Sequence, residues 1–289
     1  IGLVGSEMCI RDSEEISYLF VPANKKVMIS KALTYGANAI ILDLEDAVHP
    51  DEKPLGRDNI QNWLTTINNT IINTSIYIRI NHPKEKEFKN DVDLLNSLNE
   101  TLMTGVMIPK LEDVEILSYI KSKLHLAISK RPFIGIIETA RGVHHCEKIA
   151  NSGVTRLAFG SLDYSLDIDC QQTAEALLYA RSRIVIASRI ANLISPIDCV
   201  TPEFCTPNTL LMDANHARAL GFGAKLCIHP DQIDTVNKAF KPTEEKIKWA
   251  QEVVKQSTAS YAFQINGEMI DLPLIKQATR IINGKYKPN

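Results

Sequence analysis

The sequence predicts a (β/α)8 barrel followed by a C-terminal helical segment, and two observations support this fold class. The first is an unbroken alternation of eight apolar, strand-like runs with helical stretches, which predicts parallel strands joined by right-handed crossovers. The second is the set of charged residues that stand at or shortly after the ends of these runs: Glu45, Asp46, Arg79, Lys110, Glu138, Asp163 and His229. Charged groups at the carboxyl ends of successive strands are typical of the catalytic face of such a barrel.

The strands are predicted from short apolar runs that end at charges or turn residues. Their predicted ranges are residues 17–22, 39–45, 76–81, 105–110, 132–138, 156–160, 196–200 and 224–228. The second run, AIILDLE, is nearly all apolar, as expected of a strand that is buried on both faces.

The helices are predicted from the stretches between these runs. The first covers residues 25–35 and stops at Gly36, and the second opens at Pro54. Later helices are predicted over residues 85–103, 171–193, 243–256 and 273–282, with one more that ends near Gly221. An open doubly wound sheet shares this alternation but usually carries a glycine-rich phosphate loop after an early strand. The first turn here reads VPANKKV, so the sequence favours a closed barrel.

The chain is predicted to have three parts. Residues 1–13 include LVGSEMCIRDS, which resembles a translated sequencing adapter joined to the true reading frame, so we expect an artefact there. Residues 14–240 are predicted to form the catalytic barrel, and residues 241–289 a helical lid or oligomer contact with a turn at Asn266-Gly267. We expect the natural start to be obscured, which leaves the presence of an organellar targeting peptide open.

The composition predicts a soluble globular protein, with 45% hydrophobic and 23% charged residues. The net charge of −2 gives no basis for binding nucleic acid or a membrane surface, and no apolar run is long enough to span a bilayer. The six cysteines include no CxxC pair, which favours free thiols in a reducing cytosol over a disulfide framework. We therefore predict a cytoplasmic location and neither nucleic-acid nor membrane partners.

Glu138 and Asp163 are the strongest candidates for metal ligands. They follow neighbouring strands, in IIETARGV and FGSLDYSLDI, and should therefore face each other at the barrel mouth, where Glu138 would also face the substrate. Magnesium binds one or two carboxylates and completes its shell with water and substrate oxygens, and this pair lacks the histidine partners typical of zinc. Either carboxylate could instead cap the helix that follows it.

Arg79 is a candidate for substrate binding, because its planar guanidinium would suit a substrate carboxylate. It could instead be a buried partner of Asp43, Glu45 or Asp46 on the adjoining strand. The two roles are compatible, since a paired arginine can still face a ligand. Glu45 and Asp46 are predicted to act without contacting the metal or the substrate themselves, by orienting Arg79 or metal-bound water.

Lys110, His229 and Asp271 complete the set of candidates. Lys110 could contact the substrate or pair with Glu112 or Asp113, and the nearby acids favour a charged lysine over the desolvated amine of a Schiff base. His229, in CIHPDQI, could reach a phosphate group or cap the helix that follows. Asp271, in MIDLP, is predicted as a helix N-cap, and its apolar neighbours suggest burial, such as against another subunit.

Eight motifs occur in order over about residues 17–282: LFVPAN, AIILDLEDAV, YIRIN, GVMIPK, PFIGIIETARGV, AFGSLDY, LCIHPDQI and MIDLPLIKQA. Together they resemble the HpcH/HpaI aldolase/citrate lyase family, and within it the citrate lyase β-subunit-like branch. The resemblance implies a barrel that is usually trimeric, with magnesium bound by Glu138 and Asp163. It also implies that Arg79 holds the keto acid. Asp271 would be the general acid/base, carried by the C-terminal lid of a neighbouring subunit, so that active sites are shared.

The resemblance implies a magnesium-dependent carbon–carbon lyase that cleaves or condenses a short 3-hydroxy-dicarboxylyl-CoA. Malyl-CoA, citramalyl-CoA or citryl-CoA would yield an acetyl-CoA-type thioester and a 2-keto acid. Alternatives are a malate synthase-like or malyl-CoA thioesterase-like activity on the same site, and a non-catalytic citrate lyase-like subunit. Many relatives carry an arginine near CoA or substrate just before the first strand, where this chain has Ile16. Whether CoA or an acyl carrier protein bears the acyl group stays open.

Overall fold

Eight parallel strands form a closed barrel in the computed structural model, which describes residues 15–67, 73–203, 207–258 and 261–283. The strands are β1 Ser17–Pro22, β2 Ala39–Asp43, β3 Ser75–Arg79, β4 Gly105–Ile108, β5 Phe133–Ile137, β6 Arg156–Phe159, β7 Ile197–Asp198 and β8 Ala224–Cys227. Each strand pairs with the next in chain order, and β8 pairs with β1. The predicted fold class is confirmed. The suspected artefact at residues 1–13 lies outside the described residues.

Several strands end earlier than predicted, because the residues after them leave the extended conformation. In β2, the Asp43 carboxylate accepts the Glu45 backbone N–H at 3.0 Å, which turns the chain two residues before the predicted end. After β4, Lys110 adopts a left-handed backbone with φ 47°, so the predicted end at residue 110 falls in a turn. Glu45 and Lys110 therefore stand on short turns after their strands, whereas Arg79 is the last residue of β3.

Helices follow the barrel strands and cover their outer face. They are α1 Lys26–Ala32, α2 Lys53–Thr66, α3 Phe88–Ser97, α4 Val114–Lys123, α5 Leu126–Ser129, α6 Ala140–Ala150, α7 Ser161–Ile168, α8 Ala174–Ile190, α9 Pro207–Leu220 and α10 Gln232–Phe240, with 3-10 turns at Pro50–Glu52 and Glu100–Leu102. The predicted helix over residues 171–193 is shorter, because Thr173 caps α8. Among the described helices, none is both long and apolar enough to cross a membrane.

The interior of the barrel is filled by alternate residues of its strands. Tyr18, Ile41, Met107, Ile136 and Leu226 belong to one buried apolar cluster. The intervening residues of the same strands belong to a larger cluster that also includes the helices. This two-sided burial is why the strands appear in the sequence as continuous apolar runs.

A buried polar group lies at the amino ends of β1, β3 and β6. The Tyr18 hydroxyl donates to the Glu15 carboxylate, and the Tyr77 hydroxyl lies 3.1 Å from the same oxygen. Arg156 Nη1 donates to the Tyr18 hydroxyl at 3.0 Å. Burial raises the pKa of both tyrosines, so these hydroxyls stay protonated and act as donors.

A buried ion cluster joins β7, β8 and α8. Lys225 Nζ lies 3.0 Å from Asp198 Oδ2, and Arg181 Nε lies 2.9 Å from Asp198 Oδ1. Burial alone would raise the pKa of Asp198, but Lys225 and Arg181 outweigh it and hold that pKa below its usual range. The carboxylate is therefore ionised, as a buried partner of two cations must be.

The chain divides into two compact units, with residues 15–240 forming the barrel unit and the described residues from 241 onward belonging to the other. This C-terminal unit contains α11 Glu244–Gln256, the hairpin β9 Phe263–Ile265 and β10 Glu268–Ile270, and α12 Leu272–Ile282. Its own small core includes Ala250, Ile270 and Ala278. The predicted turn at Asn266-Gly267 is present, and the positive φ of both residues suits a tight hairpin.

Candidate active site

Arg79 is the fixed cation of the barrel mouth. Its Nε and Nη2 donate to the two oxygens of Asp43 at 2.7 and 2.6 Å, across the β2–β3 pair, and its Nη1 lies 2.7 Å from Glu45 Oε2. The ring of Phe20 packs 4.7 Å from the guanidinium carbon. Burial would lower the pKa of Arg79, but Asp43 and then Glu45 raise it well above its ordinary value. Of the partners considered from the sequence, the structure shows Asp43 and Glu45, whereas Asp46 lies against a different cation.

That second cation is Lys110. Its ammonium lies 2.7 Å from Glu45 Oε1, 3.6 Å from Asp46 Oδ2 and 4.0 Å from Asp163 Oδ1. Burial would lower the pKa of Lys110, but the hydrogen bond to Glu45 and the surrounding carboxylates raise it. The lysine is therefore charged, which favours an electrostatic role over that of a Schiff-base amine.

Glu138 follows β5 and is buried. Its Oε1 accepts the backbone N–H of Lys110 at 2.7 Å. Its Oε2 lies against the backbone of Gly160, where an added Cβ would stand 2.2 Å from that oxygen. Burial raises the pKa of Glu138 to about 8, with further contributions from the nearby charges of Glu45 and Asp163. A cation at this carboxylate would relieve that destabilisation of the ionised form.

Asp163 occupies the first turn of α7, where its side chain is 32% exposed. Lys110 bridges it to the group around Glu45, and its charge acts on Glu138. The structure therefore brings together six of the predicted site residues at one end of the barrel: Glu45, Asp46, Arg79, Lys110, Glu138 and Asp163.

Two alternative roles considered from the sequence are not what the structure shows. Lys110 pairs with carboxylates from other loops rather than with Glu112 or Asp113, and Asp113 instead caps α4. Glu138 does not cap α6, because the Thr139 side chain occupies that position. Both corrections leave Lys110 and Glu138 available to the site.

The group fits a divalent cation by its charge and by its donor atoms. It holds five carboxylates, those of Asp43, Glu45, Asp46, Glu138 and Asp163, against the two cations Arg79 and Lys110. Among the described residues, Glu138 Oε2 accepts no hydrogen bond, so it is open to a metal. No set of three or more His, Cys, Asp or Glu side chains in the described ranges is arranged as a complete metal cage. Magnesium suits such a site, because it takes one or two carboxylates and fills its shell with other oxygens.

His229 follows β8 and contacts Asp231 in the turn that precedes α10. Its Nδ1 accepts the Asp231 backbone N–H at 3.3 Å and lies 3.4 Å from that residue's carboxylate. This contact lies in the turn before the helix and does not satisfy an N–H of α10 itself. The capping role and the phosphate-binding role both stay predictions.

Asp271 belongs to the C-terminal unit, at the N-cap position of α12. The position was predicted, but the side chain makes no capping hydrogen bond. The expectation of burial is not met within the chain, because Asp271 and Leu272 are exposed and only Ile270 on its other side is buried.

Sequence reasoning gave Asp43 only a secondary place and missed Gly160. Asp43 anchors the guanidinium of Arg79, and the signal for it was an acid within an apolar strand, opposite an arginine on the next. Gly160 makes room for the Glu138 carboxylate, and its signal was a glycine at the end of the run RLAFG.

The sequence model of the HpcH/HpaI aldolase/citrate lyase family matches residues 17–230 of the chain. This protein belongs to that family. A citrate lyase subunit beta-like protein of Deinococcus radiodurans is 28% identical, over 92% of this chain and 96% of that protein. The mitochondrial citramalyl-CoA lyase of Mus musculus is 31% identical, over 91% of this chain and 84% of that protein.

A solved structure gives the same relationship in three dimensions. The CitE protein of Mycobacterium tuberculosis, in complex with magnesium, acetoacetate and coenzyme A, is 26% identical. The two structures superpose with a TM-score of 0.81, and the match covers 95% of this chain and 100% of that chain. The family resemblance noted in the sequence is confirmed. The protein described here is therefore an enzyme of the carbon–carbon lyase class.

Proposed function

We propose that this family member is a magnesium-dependent lyase that cleaves a short 3-hydroxy-dicarboxylyl-CoA, such as malyl-CoA, citramalyl-CoA or citryl-CoA. The products would be an acetyl-CoA-type thioester and a 2-keto acid. The observation that carries the proposal is the buried Glu138 beside Asp163, at the same mouth as the fixed guanidinium of Arg79. The named citramalyl-CoA lyase and the CitE complex with magnesium and coenzyme A support the same chemistry.

Glu138 and Asp163 would hold the magnesium ion. When bound, the ion supplies Lewis acidity to the hydroxyl and carboxylate oxygens of the keto-acid half. The buried position of Glu138 makes its ionised form costly without a counter-charge, which favours uptake of a cation at this carboxylate. A citrate lyase beta subunit of Mycobacterium tuberculosis, 26% identical with a TM-score of 0.67, was solved with oxaloacetate and magnesium.

Arg79 would orient the carboxylate of the keto acid. Asp43 takes two of the guanidinium's donors, so the cation is held in one orientation before substrate arrives. Preorganised charge of this kind lowers the barrier, because it needs no rearrangement as charge develops. Lys110 would add a second positive charge beside Glu45.

Asp271 would handle the proton at the thioester's α-carbon. In cleavage, a base removes the hydroxyl proton, the bond to the α-carbon breaks, and Asp271 returns a proton to the resulting enolate. In condensation, Asp271 would remove that proton instead. Its exposure and its lack of a capping bond support this role. We further propose a homotrimer in which the C-terminal segment of one subunit serves the barrel of its neighbour.

The test is a panel of malyl-CoA, citramalyl-CoA and citryl-CoA, each assayed with and without magnesium. Mass spectrometry would follow free thioester, keto acid and free CoA. We expect keto acid and acyl-CoA in equal amounts, only with magnesium, and none from Glu138→Gln. The exposed Glu115→Gln on α4 is the matched control and should keep full activity. Release of free CoA with an intact hydroxy acid would indicate the thioesterase, and no turnover of any substrate would favour the non-catalytic subunit.

A further inference from the structure

The backbone of Lys110 has an unusual conformation for its residue type. Among the described residues, four that are not glycine have positive φ: Lys110, Asp169, Asn192 and Asn266. Asp and Asn tolerate the left-handed region because their short polar side chains bond locally to the backbone. Lysine has no such compensation. Lys110, with φ 47°, is therefore the member of this set whose conformation needs another explanation.

The structure holds this turn from both sides. The Lys110 N–H donates to Glu138 Oε1 at 2.7 Å, and the next residue, Leu111, donates its N–H to the Ile136 carbonyl at 3.0 Å. The Leu111 side chain packs where a Cβ on Gly135 would stand, 2.5 Å from its Cδ2. Strained backbone persists where neighbouring contacts fix it in this way. Here the contact that faces the proposed metal site is the one to Glu138.

The side chain of Lys110 does not account for the strain. Its ammonium reaches Glu45 at 2.7 Å and approaches Asp163 to 4.0 Å, and a flexible lysine makes such contacts from many backbone conformations. The N–H lies in the rigid peptide plane between Pro109 and Lys110, so the φ of Lys110 sets its direction relative to the chain that continues into Leu111. The backbone and the ammonium of Lys110 thus act on different carboxylates of the site.

We propose that Lys110 is the positioning residue of the metal site, whose left-handed backbone aims its amide at Glu138 Oε1. That bond fixes the carboxylate and leaves Oε2, seated against Gly160, as the oxygen for the cation. The inference rests on the proposed magnesium site. It assigns Lys110 a role through its main chain, distinct from the substrate contact considered for its side chain.

The test compares Lys110→Asn with Lys110→Val by magnesium calorimetry. Both variants lose the ammonium and have short side chains, but Asn tolerates the left-handed region and a β-branched residue does not. We expect the Val variant to bind magnesium at least tenfold more weakly than the Asn variant, a difference of about 1.4 kcal/mol. Lys110→Gly, which adopts positive φ freely, should bind like the Asn variant.

Circular dichroism and thermal melting would establish that each variant is folded. Equal magnesium affinities for the Asn and Val variants would overturn the proposal, as would a Val variant that melts earlier yet binds as the Asn variant does. If the Val variant does not fold, Lys110→Ala against Lys110→Gly replaces it, with weaker binding by Ala expected and equal binding refuting the idea. Absence of magnesium binding by the wild type would refute the metal site itself, and that result is distinguishable from the others.

Discussion

The pKa of Glu138 predicts that magnesium binding depends on pH. In the metal-free protein, burial and the neighbouring acids raise this pKa to about 8. A carboxylate must lose its proton to bind a metal, so apparent affinity should rise with pH and level off above that value. With a pKa of about 8, the ionised fraction of Glu138 is about 1% at pH 6, about 9% at pH 7 and about 50% at pH 8. Apparent affinity should therefore increase roughly fiftyfold between pH 6 and pH 8.

Calorimetry measures both parts of this prediction. Titrations with magnesium at pH 6, 7, 8 and 9 give the affinity, and pairs of buffers with different ionisation enthalpies give the protons released. We expect about 0.9 proton released per ion at pH 7, since about nine in ten Glu138 carboxyls are protonated before binding. Proton release should approach zero at pH 9 and above.

Two variants identify the group responsible. Glu138→Gln should bind weakly and lose most of the pH dependence, while Glu115→Gln, an exposed carboxylate on α4, should retain the wild-type curve. Wild-type affinity that is flat between pH 6 and pH 8, with no proton release, would refute the reasoning. In that case Glu138 is ionised before the metal arrives, and burial does not control its charge.

The remaining predictions concern the metal ligands, the arginine, the C-terminal acid and the buried ion cluster. Glu138→Ala and Asp163→Ala should each abolish magnesium-dependent turnover in a folded protein; unchanged magnesium affinity would remove them from the metal site. Arg79→Lys should lower kcat/KM roughly 10- to 100-fold, because lysine cannot form the two parallel hydrogen bonds of the guanidinium. A wild-type kcat/KM would mean that Arg79 serves only as a structural ion-pair partner. Asp271→Asn subunits reassembled with Glu138→Gln subunits should recover part of the activity that each variant lacks alone. If confirmed mixed oligomers recover no activity, the active sites are not shared between subunits. Asp198→Asn should reduce the unfolding free energy by about 3–5 kcal/mol in urea, and a loss under about 1 kcal/mol would mean the cluster relaxes. Because the folded-state pKa of Asp198 is lowered, its contribution is present above the ordinary aspartate range and is lost as pH falls through and below that range.

The barrel could be predicted from the sequence because its strands are buried on both faces. Each strand therefore appears as an uninterrupted apolar run, and the charges that end these runs mark the mouth. Seven of the candidate residues were predicted to share one end of the barrel, because the carboxyl ends of parallel strands meet there, and the observed contacts join six of them. Which of these residues pair could not be predicted without knowing the register of the strands. Arg79, for example, lies opposite Asp43 in the β2–β3 pair, although the two are far apart in the sequence.

Other features depend on contacts that no local pattern carries. Lys225 is fully buried in the run KLCIHP, and only the approach of Asp198 and Arg181 from other elements makes that burial tolerable. The left-handed conformation of Lys110 was equally hidden, because lysine has no preference for it. The proposed catalytic role of Asp271 came only from the family resemblance, since its sequence context indicates no more than a helix start.

The close approach of Glu138 to Gly160 gives a criterion for surveying relatives of this enzyme. Any side chain at the glycine position would bring a carbon within 2.2 Å of the carboxylate oxygen, so Gly160 cannot be replaced unless the Glu138 side chain moves. A natural variant that keeps the acid but replaces the glycine would have to move the carboxylate away from its present position. Such chains should be poor catalysts despite an intact set of acidic residues, and a genome survey could separate them from active members by this one glycine.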